Sequence, residues 1–168
     1  MSGISTKDGV WGPYDVGFAV HSMALRTTSS AASGASKLLV ACSSFIPEAA
    51  NFVDVLSINL DGPQVVQSAA RLPHYYPPTK VRWLGSDGSG QELLATSGDC
   101  IRIWSASGEL CRLLRHEANP QARCTPITSL DVSADGAGPS SKLASCDVYG
   151  ICALWDLESG SMQQALDL

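Results

Sequence analysis

The chain has 168 residues, of which 45% are hydrophobic, and it carries a formal net charge of −5 with a pI near 5.0. This length and composition are typical of one globular domain with its own core. The 11 Lys and Arg residues are scattered along the sequence, so they form no basic surface for a polyanion. We therefore expect no direct nucleic-acid ligand.

The sequence contains no targeting or membrane-spanning segment that we can identify. Residues 1–9 lack an apolar core of signal-peptide length, and the longest apolar run, residues 38–42, is too short to cross a bilayer. We expect a protein of the cytoplasm and nucleus without a membrane partner. In that reducing environment the six cysteines are predicted to be thiols, most of them buried.

The first repeated unit covers residues 18–72 and follows an N-terminal segment, residues 1–17. Its apolar pattern is degenerate but predicts four strands. A Ser/Ala/Gly stretch at residues 27–36 predicts a mobile loop, and residues 45–51 predict an elongated hairpin. The four strands are predicted at residues 20–25, 37–42, 52–58 and 65–69.

The second unit, residues 73–115, is a clearer four-strand meander. Turn residues at 86–90, at Gly98–Asp99 and at Ser107–Gly108 separate its apolar stretches. The strands are predicted at residues 79–84, 93–96, 101–104 and 110–114.

The third unit, residues 116–168, repeats this scheme with strands at 127–132, 143–146, 151–155 and 162–166. Residues 93–104 and 142–156 are copies of one another, and each predicts a hairpin that ends in a Trp. Trp104 and Trp155 lie 51 residues apart, and Leu56 occupies the Trp position of the first unit, 48 residues before Trp104. This period predicts an all-β chain made of four-stranded propeller blades.

The third unit resembles a WD40 repeat, because Leu143-Ala-Ser, Gly150 and Ala153-Leu-Trp-Asp156 match its strand pair and its Trp-Asp dipeptide. The stretch from His74 to Trp83, followed by residues 93–99 and Arg102-Ile-Trp104, looks like the Transparent Testa Glabra / Anthocyanin-eleven / Light-regulated WD family. Residues 126–131 and 157–160 match the next repeat of that family. The resemblance covers residues 18–168.

That resemblance implies a WD40 β-propeller that is a scaffold and not an enzyme. The family's members join transcription factors in plants, and protein kinases or a cullin-4 ubiquitin-ligase adaptor in animals. It implies protein partners and no cofactor, with a role in transcriptional regulation, kinase signalling or ubiquitin-ligase substrate recruitment. The family's propellers have seven blades, whereas this chain has three units.

WD repeats also carry a hydrogen-bond network inside each blade. His74 lies nine residues before Trp83, at the position of the family's network His. We expect it to join a hydroxyl on the second strand, Asp99 in the turn and Trp104 on the third strand. In the third unit the His position is expected to be Arg123 or to be displaced by the long loop, so that blade should be held less firmly. The predicted structural residues are His74, Thr96, Asp99, Trp104, Ser145, Asp147, Trp155 and Asp156. The first unit should have no such network, because Cys42 and Leu56 replace the hydroxyl and the Trp.

The same residue types admit an enzymatic alternative. His74, Thr96 or Ser97, and Asp99 could form a hydrolase triad, with Cys100 as a thiol nucleophile. We favour the structural interpretation, because no nucleophile elbow or oxyanion-binding loop accompanies these residues. No catalytic residue is predicted.

Metal and phosphate sites are disfavoured by spacing. No two cysteines form a CxxC pair, although Cys100, Cys111, Cys124, Cys146 and Cys152 accompany His116. The glycine-rich residues 85–90 lack the Lys-Ser/Thr ending and the helix of a phosphate-binding loop. We predict structural cysteines, a hairpin loop, and no metal or cofactor.

Three blades do not close a propeller ring, which typically needs four to eight. Trp104 and Trp155 are predicted to be buried between blades, and the outer faces of the first and last blades should be apolar and uncovered. Three explanations are open: a truncated gene product, a half-propeller completed by a second chain, or a homodimer with six blades. We favour truncation.

Overall fold

The computed structural model describes residues 13–29, 34–62, 65–116, 125–133 and 142–167. The secondary structure in these ranges is entirely β. No helix in this part of the chain is long and apolar enough to cross a membrane. The strands are β1 (Val20–Ser29), β2 (Ser36–Ser44), β3 (Asn51–Asn59), β4 (Val66–His74), β5 (Val81–Ser86), β6 (Glu92–Ser97), β7 (Ile101–Ser105), β8 (Leu110–Leu114), β9 (Ile127–Val132), β10 (Lys142–Asp147), β11 (Ile151–Asp156) and β12 (Met162–Asp167).

The strands form three antiparallel four-stranded meanders, which we call blade 1 (β1–β4), blade 2 (β5–β8) and blade 3 (β9–β12). The first strand of blade 2, β5, contacts both β1 and β9, so the three blades follow one another side by side. The prediction of an all-β partial propeller is therefore confirmed.

The register shows how the degenerate first unit matches the other two. Leu94 pairs with Trp104 in blade 2, and Leu143 pairs with Trp155 in blade 3. Val40 pairs with Leu56 at the same place in blade 1. Leu56 thus occupies the Trp position, as the sequence comparison predicts.

The hydrophobic core lies between the blades, because a strand's alternate side chains point to opposite faces of its sheet. Each interface packs the forward face of one blade, which points toward the next blade in the chain, against the backward face of that next blade. Trp104 is buried at the first interface and Trp155 at the second. The first interface contains Ala41, Val53, Val55 and Leu72 of blade 1 with Val81, Leu94 and Trp104 of blade 2. The second contains Leu84, Ala95, Ile101, Ile103 and Leu114 of blade 2 with Ile127, Leu130, Leu143, Ala153 and Trp155 of blade 3.

Hydrogen bonds add to these interfaces. The Thr79 hydroxyl donates to the Ile127 carbonyl over 2.7 Å, and the Ile127 amide donates to the Gly98 carbonyl over 2.8 Å. Arg26 forms an ion pair with Glu92 between blades 1 and 2. Each of these contacts joins two neighbouring blades.

One of the two loop predictions for the first unit changes, and the elongated hairpin is confirmed. β1 continues to Ser29 and β2 begins at Ser36, so residues 27–29 and 36 of the predicted mobile loop are strand, and residues 30–33 lie outside the described residues. Cross-strand pairs such as Thr27 with Leu38 extend the hairpin despite its small residues. At the other end of β2, Asn51 organises the longer hairpin: its side-chain NH2 donates to the carbonyls of Ile46 and Glu48, both over 3.0 Å.

Candidate functional site: blade networks and the upper loops

Blade 3 contains a buried chain of four hydrogen-bonded side chains. The Asp147 carboxylate lies 3.0 Å from His116 Nδ1, and His116 Nε2 lies 2.7 Å from the Ser145 hydroxyl. Trp155 Nε1 donates to the same hydroxyl oxygen over 2.7 Å. Because an ionised carboxylate only accepts, Nδ1 carries the imidazole proton and Nε2 accepts from Ser145. Every polar atom in the chain from Asp147 to Trp155 is then satisfied.

This finding corrects the expectation for the third unit. The network His is His116, two residues after the end of β8, whereas Arg123, one of the alternatives predicted for this position, lies outside the described residues. Because His116 follows the last strand of blade 2 and bonds to β10 of blade 3, it joins the two blades. The expectation that blade 3 is held less firmly is wrong at the level of these bonds.

Blade 2 has the equivalent arrangement with one member missing. The Thr96 hydroxyl lies 3.0 Å from His74 Nε2 and accepts from Trp104 Nε1 over 2.9 Å. His74 Nδ1 is buried and has no hydrogen-bond partner. Burial, followed by the nearby charge of Arg102, lowers the pKa of His74 from 6.5 to about 4.

The missing member is the turn carboxylate. Asp147 lies two residues after Ser145, and the residue two after Thr96 is Gly98. A Cβ on Gly98 would lie 3.9 Å from His74 Nδ1, so this backbone position faces the unpartnered nitrogen. Asp99, one residue later, instead forms an ion pair with Arg102 at 2.6 Å. The expected contact between Asp99 and the His74 ring is therefore replaced by a pair with Arg102.

Asp156, the second residue of the Trp-Asp dipeptide, lies outside the buried chain of blade 3. It accepts from the Ser159 amide over 2.9 Å and from Lys142 Nζ over 3.0 Å. The hydrogen bond from the Ser159 backbone amide is the main cause that lowers the pKa of Asp156 to about 2. The hydrogen bond from Lys142 lowers it further. Asp156 thus organises the turn between β11 and β12.

These arrangements do not form an accessible triad. The Ser97 hydroxyl lies 2.6 Å from the Thr79 hydroxyl and accepts from the Lys80 amide, away from His74. In blade 3 the order Asp147, His116, Ser145 does match that of a triad, but Ser145 is 2% exposed and its oxygen already accepts from Trp155. A nucleophile must reach a substrate carbonyl, and this hydroxyl has no open side.

The cysteine prediction also changes in part. Cys146 and Cys152 lie directly opposite each other on β10 and β11, with Cα atoms 4.3 Å apart, and they form a disulfide. The prediction of six thiols is therefore wrong for this pair, because the cross-strand register brings their side chains together. Cys42 and Cys100 are buried thiols and Cys111 is an exposed one, whereas Cys124 lies outside the described residues. In the described ranges no group of three or more His, Cys, Asp or Glu side chains could hold a metal ion.

Blade 1 differs from the other two on its backward face. Cys42 pairs with Asp54, and Arg71 donates two hydrogen bonds to that carboxylate, of 2.6 and 2.7 Å. The Arg71 guanidinium also lies over the Phe52 ring, which Phe18 contacts edge-on with ring centroids 4.9 Å apart. An ion pair and stacked side chains thus occupy the place of the His-hydroxyl-Trp chain.

Exposed aromatic side chains collect at one end of the blades. In a meander the β2–β3, β6–β7 and β10–β11 turns and the connections between blades lie at the same end, which we call the upper end. Tyr75 and Tyr76 contact each other there with ring centroids 4.8 Å apart, and Tyr149 at the β10–β11 turn is 78% exposed. Phe45 of the β2–β3 hairpin and Tyr14, which precedes β1, are also exposed. Three tyrosines, Tyr75, Tyr76 and Tyr149, are therefore exposed at the upper end, and Tyr14 is exposed in the segment before β1.

Two known proteins are similar in sequence to parts of this chain. No protein-family model matches the chain. A DDB1- and CUL4-associated factor 7 homolog of Dictyostelium discoideum is 30% identical over 133 residues, and the WD repeat-containing protein YPL247C of Saccharomyces cerevisiae is 33% identical over 104 residues. The aligned regions are 76% and 50% of this chain. They span only 39% and 19% of those relatives.

The solved structures agree on the fold. The C-terminal WD40 domain of Sif2 superimposes with a TM-score of 0.51 at 20% identity, over 77% of this chain and 34% of that one. The chain is built from WD40 repeats. A humanized mutant of the Chaetomium thermophilum Polycomb Repressive Complex 2 gives a TM-score of 0.56 at 16% identity, over 82% and 28% of the two chains. The His116 and His74 chains are thus the internal networks of two WD40 blades.

Proposed function

We propose that this WD40-repeat chain is a non-enzymatic scaffold that binds other proteins through the upper end of its blades. One observation carries the proposal: the buried His, hydroxyl and Trp groups bond to one another, while Tyr75, Tyr76 and Tyr149 are exposed at one end. Tyrosine supplies a large contact area at low cost in side-chain entropy and is enriched at protein interfaces.

Among possible partners we propose the cullin-4 adaptor DDB1, because the Dictyostelium relative is a DDB1- and CUL4-associated factor homolog. Transcription factors and protein kinases are the other partner classes that the family resemblance implies. A role in ubiquitin-ligase substrate recruitment follows if the adaptor binds. A scaffold of this kind would act in both cytoplasm and nucleus.

Binding of purified DDB1 to the purified chain tests this proposal. The double variant Tyr75→Ser/Tyr76→Ser should weaken binding at least tenfold, because it removes the paired rings from the upper end. Leu110→Ser is the matched control, since Leu110 is exposed at the lower end where β8 begins. No binding by the unmodified chain, or equal weakening by both variants, contradicts the proposed partner and surface.

A fold-disrupting variant separates loss of binding from loss of structure. Trp104 is buried between blades 1 and 2, so Trp104→Ala should lower the free energy of unfolding by about 3 to 5 kcal/mol. It should therefore appear as insolubility or early melting. A Trp104→Ala protein that melts normally and loses only the partner would overturn the structural role of this residue.

A further inference from the structure

A disulfide joins the two strands of the β10–β11 hairpin immediately below its turn. Cys146 and Cys152 are the last opposed pair of this hairpin, and their Cα atoms lie 4.3 Å apart. The residues between them include Val148 and Tyr149, which are 50% and 78% exposed. The bond therefore lies at the base of the turn that carries the most exposed tyrosine of the upper end.

Blade 3 differs from the other two blades at both positions of this pair. Blades 1 and 2 have a serine on the second strand and a β-branched residue on the third, so a covalent bond between these strands is a property of blade 3 alone among the described blades. The equivalent pairs are Ser43 with Val53 in blade 1 and Ser97 with Ile101 in blade 2.

The two serines make a different contact. The Ser43 hydroxyl accepts from the Ser22 amide over 2.8 Å, and the Ser97 hydroxyl accepts from the Lys80 amide over 2.9 Å. These bonds join the second strand to the first strand or to the residue directly before it. In blade 3 the side chain at this position bonds to the third strand instead. A hydroxyl bond does not respond to thiol reductants, whereas a disulfide does.

The turn that the disulfide closes also carries the carboxylate of the blade 3 network. Asp147 accepts from the amides of Tyr149 and Ile151 over 2.9 and 3.0 Å, and it lies 3.0 Å from His116 Nδ1. The carboxylate and the disulfide thus both restrain this turn. A thiol reductant removes only the disulfide.

The strands hold the two cysteines together in both redox states. β10 and β11 are opposed from Lys142 with Asp156 to Cys146 with Cys152, and each strand is also paired with a second neighbour. Two thiols held opposite each other in this ladder re-form their bond intramolecularly, without closing a new loop. The disulfide can therefore open and close while blade 3 stays folded.

We propose that Cys146 and Cys152 are a reversible dithiol–disulfide switch that controls how firmly the β10–β11 turn holds Tyr149 at the upper end. As a disulfide, the pair restrains the turn at its base. As a dithiol, it leaves the turn to the Asp147 bonds and the strand ladder. This inference rests on the proposed function, because Tyr149 belongs to the surface proposed to bind other proteins.

Thiol reductants of the glutathione class supply the electrons. One glutathione thiolate attacks a sulfur of the disulfide and releases the other cysteine as a thiolate, which takes up a proton. A second glutathione releases the first cysteine from the mixed disulfide. Two glutathione thiols are thereby oxidised to glutathione disulfide, while Cys146 and Cys152 are reduced to thiols. Oxidation of the pair by glutathione disulfide is the reverse reaction.

Equilibration with glutathione tests the switch itself. The purified chain is held at a series of ratios of reduced to oxidised glutathione and quenched in acid, and mass spectrometry after alkylation measures the free thiols of the peptide that contains both cysteines. We expect the pair to pass from disulfide to dithiol between the glutathione poise of the endoplasmic reticulum and that of the cytosol. A pair that stays in one form over this whole range overturns the proposal.

Amide hydrogen exchange tests the effect on the turn. In the dithiol form the amides of Tyr149 and Ile151 should exchange at least about tenfold faster than in the disulfide form. The double variant Cys146→Ser/Cys152→Ile has the residue types of blade 2 and should exchange at the same rate in reducing and oxidising buffer. Exchange of the unmodified chain that does not change on reduction contradicts the switch.

Cys111→Ser is the matched control. Cys111 is an exposed thiol of β8, outside the disulfide, so this variant should respond to glutathione as the unmodified chain does. A response that is lost in Cys111→Ser, or that persists in the double variant, would assign the effect to another cysteine and overturn the proposal.

Binding of DDB1 separates the switch from the proposed partner. The thiol and exchange measurements need no partner, so a failure of DDB1 to bind contradicts the proposed function and leaves the switch to be decided by those two measurements. If DDB1 binds, the disulfide form should bind at least about threefold more tightly, because a restrained turn loses less conformational freedom on binding. The double variant should bind equally in both buffers. Equal affinity of the two forms of the unmodified chain overturns control of binding by this pair.

Discussion

At the scale of single residues, the two network histidines differ in one bond. His116 is bonded at both ring nitrogens, whereas His74 is bonded only at Nε2. A buried nitrogen without a partner costs about 1 to 3 kcal/mol relative to a bonded one. The network of blade 2 therefore lacks one stabilising hydrogen bond that the network of blade 3 has.

The low pKa of His74 predicts that acid destabilises the chain. Above pH 6.5 the imidazole is neutral in both states, and its contribution to stability is complete. As the pH falls from 6.5 toward about 4, the unfolded chain binds a proton that the folded chain does not. Stability should therefore fall, by at most about 1.4 kcal/mol per pH unit for this group.

Urea unfolding between pH 7 and pH 4 measures this slope. His74→Gln should flatten it, whereas His21→Gln at an exposed position of β1 should leave it unchanged. Equal slopes for the unmodified chain and the His74→Gln variant would show that His74 titrates alike in both states.

Gly98→Asp should complete the network of blade 2. The backbone at Gly98 does not have a positive φ, and the new Cβ would meet His74 Nδ1 at an ordinary contact distance of 3.9 Å. The added carboxylate should stabilise the fold by about 1 kcal/mol and raise the pKa of His74. Urea unfolding and an NMR titration of His74 measure both effects.

The control for that variant is Gly88→Asp. Gly88 lies in the β5–β6 turn, where an added Cβ meets nothing within 4 Å, so it adds the same charge without a partner. A gain in stability shared by both variants would point to the charge or the turn and not to His74.

At the scale of strands and turns, much of the fold follows from the sequence, because alternation and turn residues fix the order of a meander. The identity of His116 was missed for a physical reason. The spacing of His74 from Trp83 points to Arg123 when it is carried over to the third unit, because that spacing crosses a connection whose length varies between blades. Counting forward from the outer strand finds it, because Leu72 and Leu114 each precede a His by two residues.

Other details of the site lie beyond sequence patterns. The turn after β6 is shorter than the turn after β10, with Thr96 and Trp104 eight residues apart and Ser145 and Trp155 ten apart. Because of that difference, Gly98 lies at the position that the Asp147 carboxylate occupies in blade 3, and Asp99 forms an ion pair with Arg102. The Cys146–Cys152 pair likewise depends on the exact register of two strands, which residue types alone do not fix.

The turn between β11 and β12 provides a test of a contact between blades. Arg112 of blade 2 donates to the carbonyls of Leu157 and Glu158 over 2.6 and 3.1 Å, and it crosses Gly160, whose φ is +69°. A Cβ at Gly160 would lie 2.7 Å from Arg112 Cδ. Gly160→Ala should therefore lower the free energy of unfolding by about 1 to 3 kcal/mol, from backbone strain and displacement of Arg112 together.

Gly17→Ala separates these two causes. Gly17 has a similar φ of +77° but nothing within 4 Å of the added Cβ, so it reports backbone strain alone. Thermal melting should show the larger loss for Gly160→Ala, and adding Arg112→Ala should remove the difference. Equal losses for the two glycine variants would show that Arg112 moves aside freely.

At the scale of the whole molecule, each blade is stabilised by its neighbours. The contribution of a residue to the free energy of unfolding therefore depends on which blade carries it. Stability in such arrays is approximately a sum of terms for the units and for their interfaces. The middle blade contributes to two interfaces, and the outer two contribute to one each. A residue on an internal interface should therefore contribute more to the free energy of unfolding than its equivalent on a face that no described blade covers.

Leu114 and Leu166 provide this comparison, since they occupy the same register position on the outer strands of blades 2 and 3. Leu114→Ala should lower the free energy of unfolding by about 2 to 5 kcal/mol at any protein concentration, because it opens a cavity between blades 2 and 3. Leu166→Ala should cost less than about 1 kcal/mol in dilute protein, where half of the side chain is already exposed. Urea unfolding at a low and a high concentration measures both variants, and a Leu166→Ala effect as large as that of Leu114→Ala in dilute protein would show that the face of blade 3 is covered within the monomer.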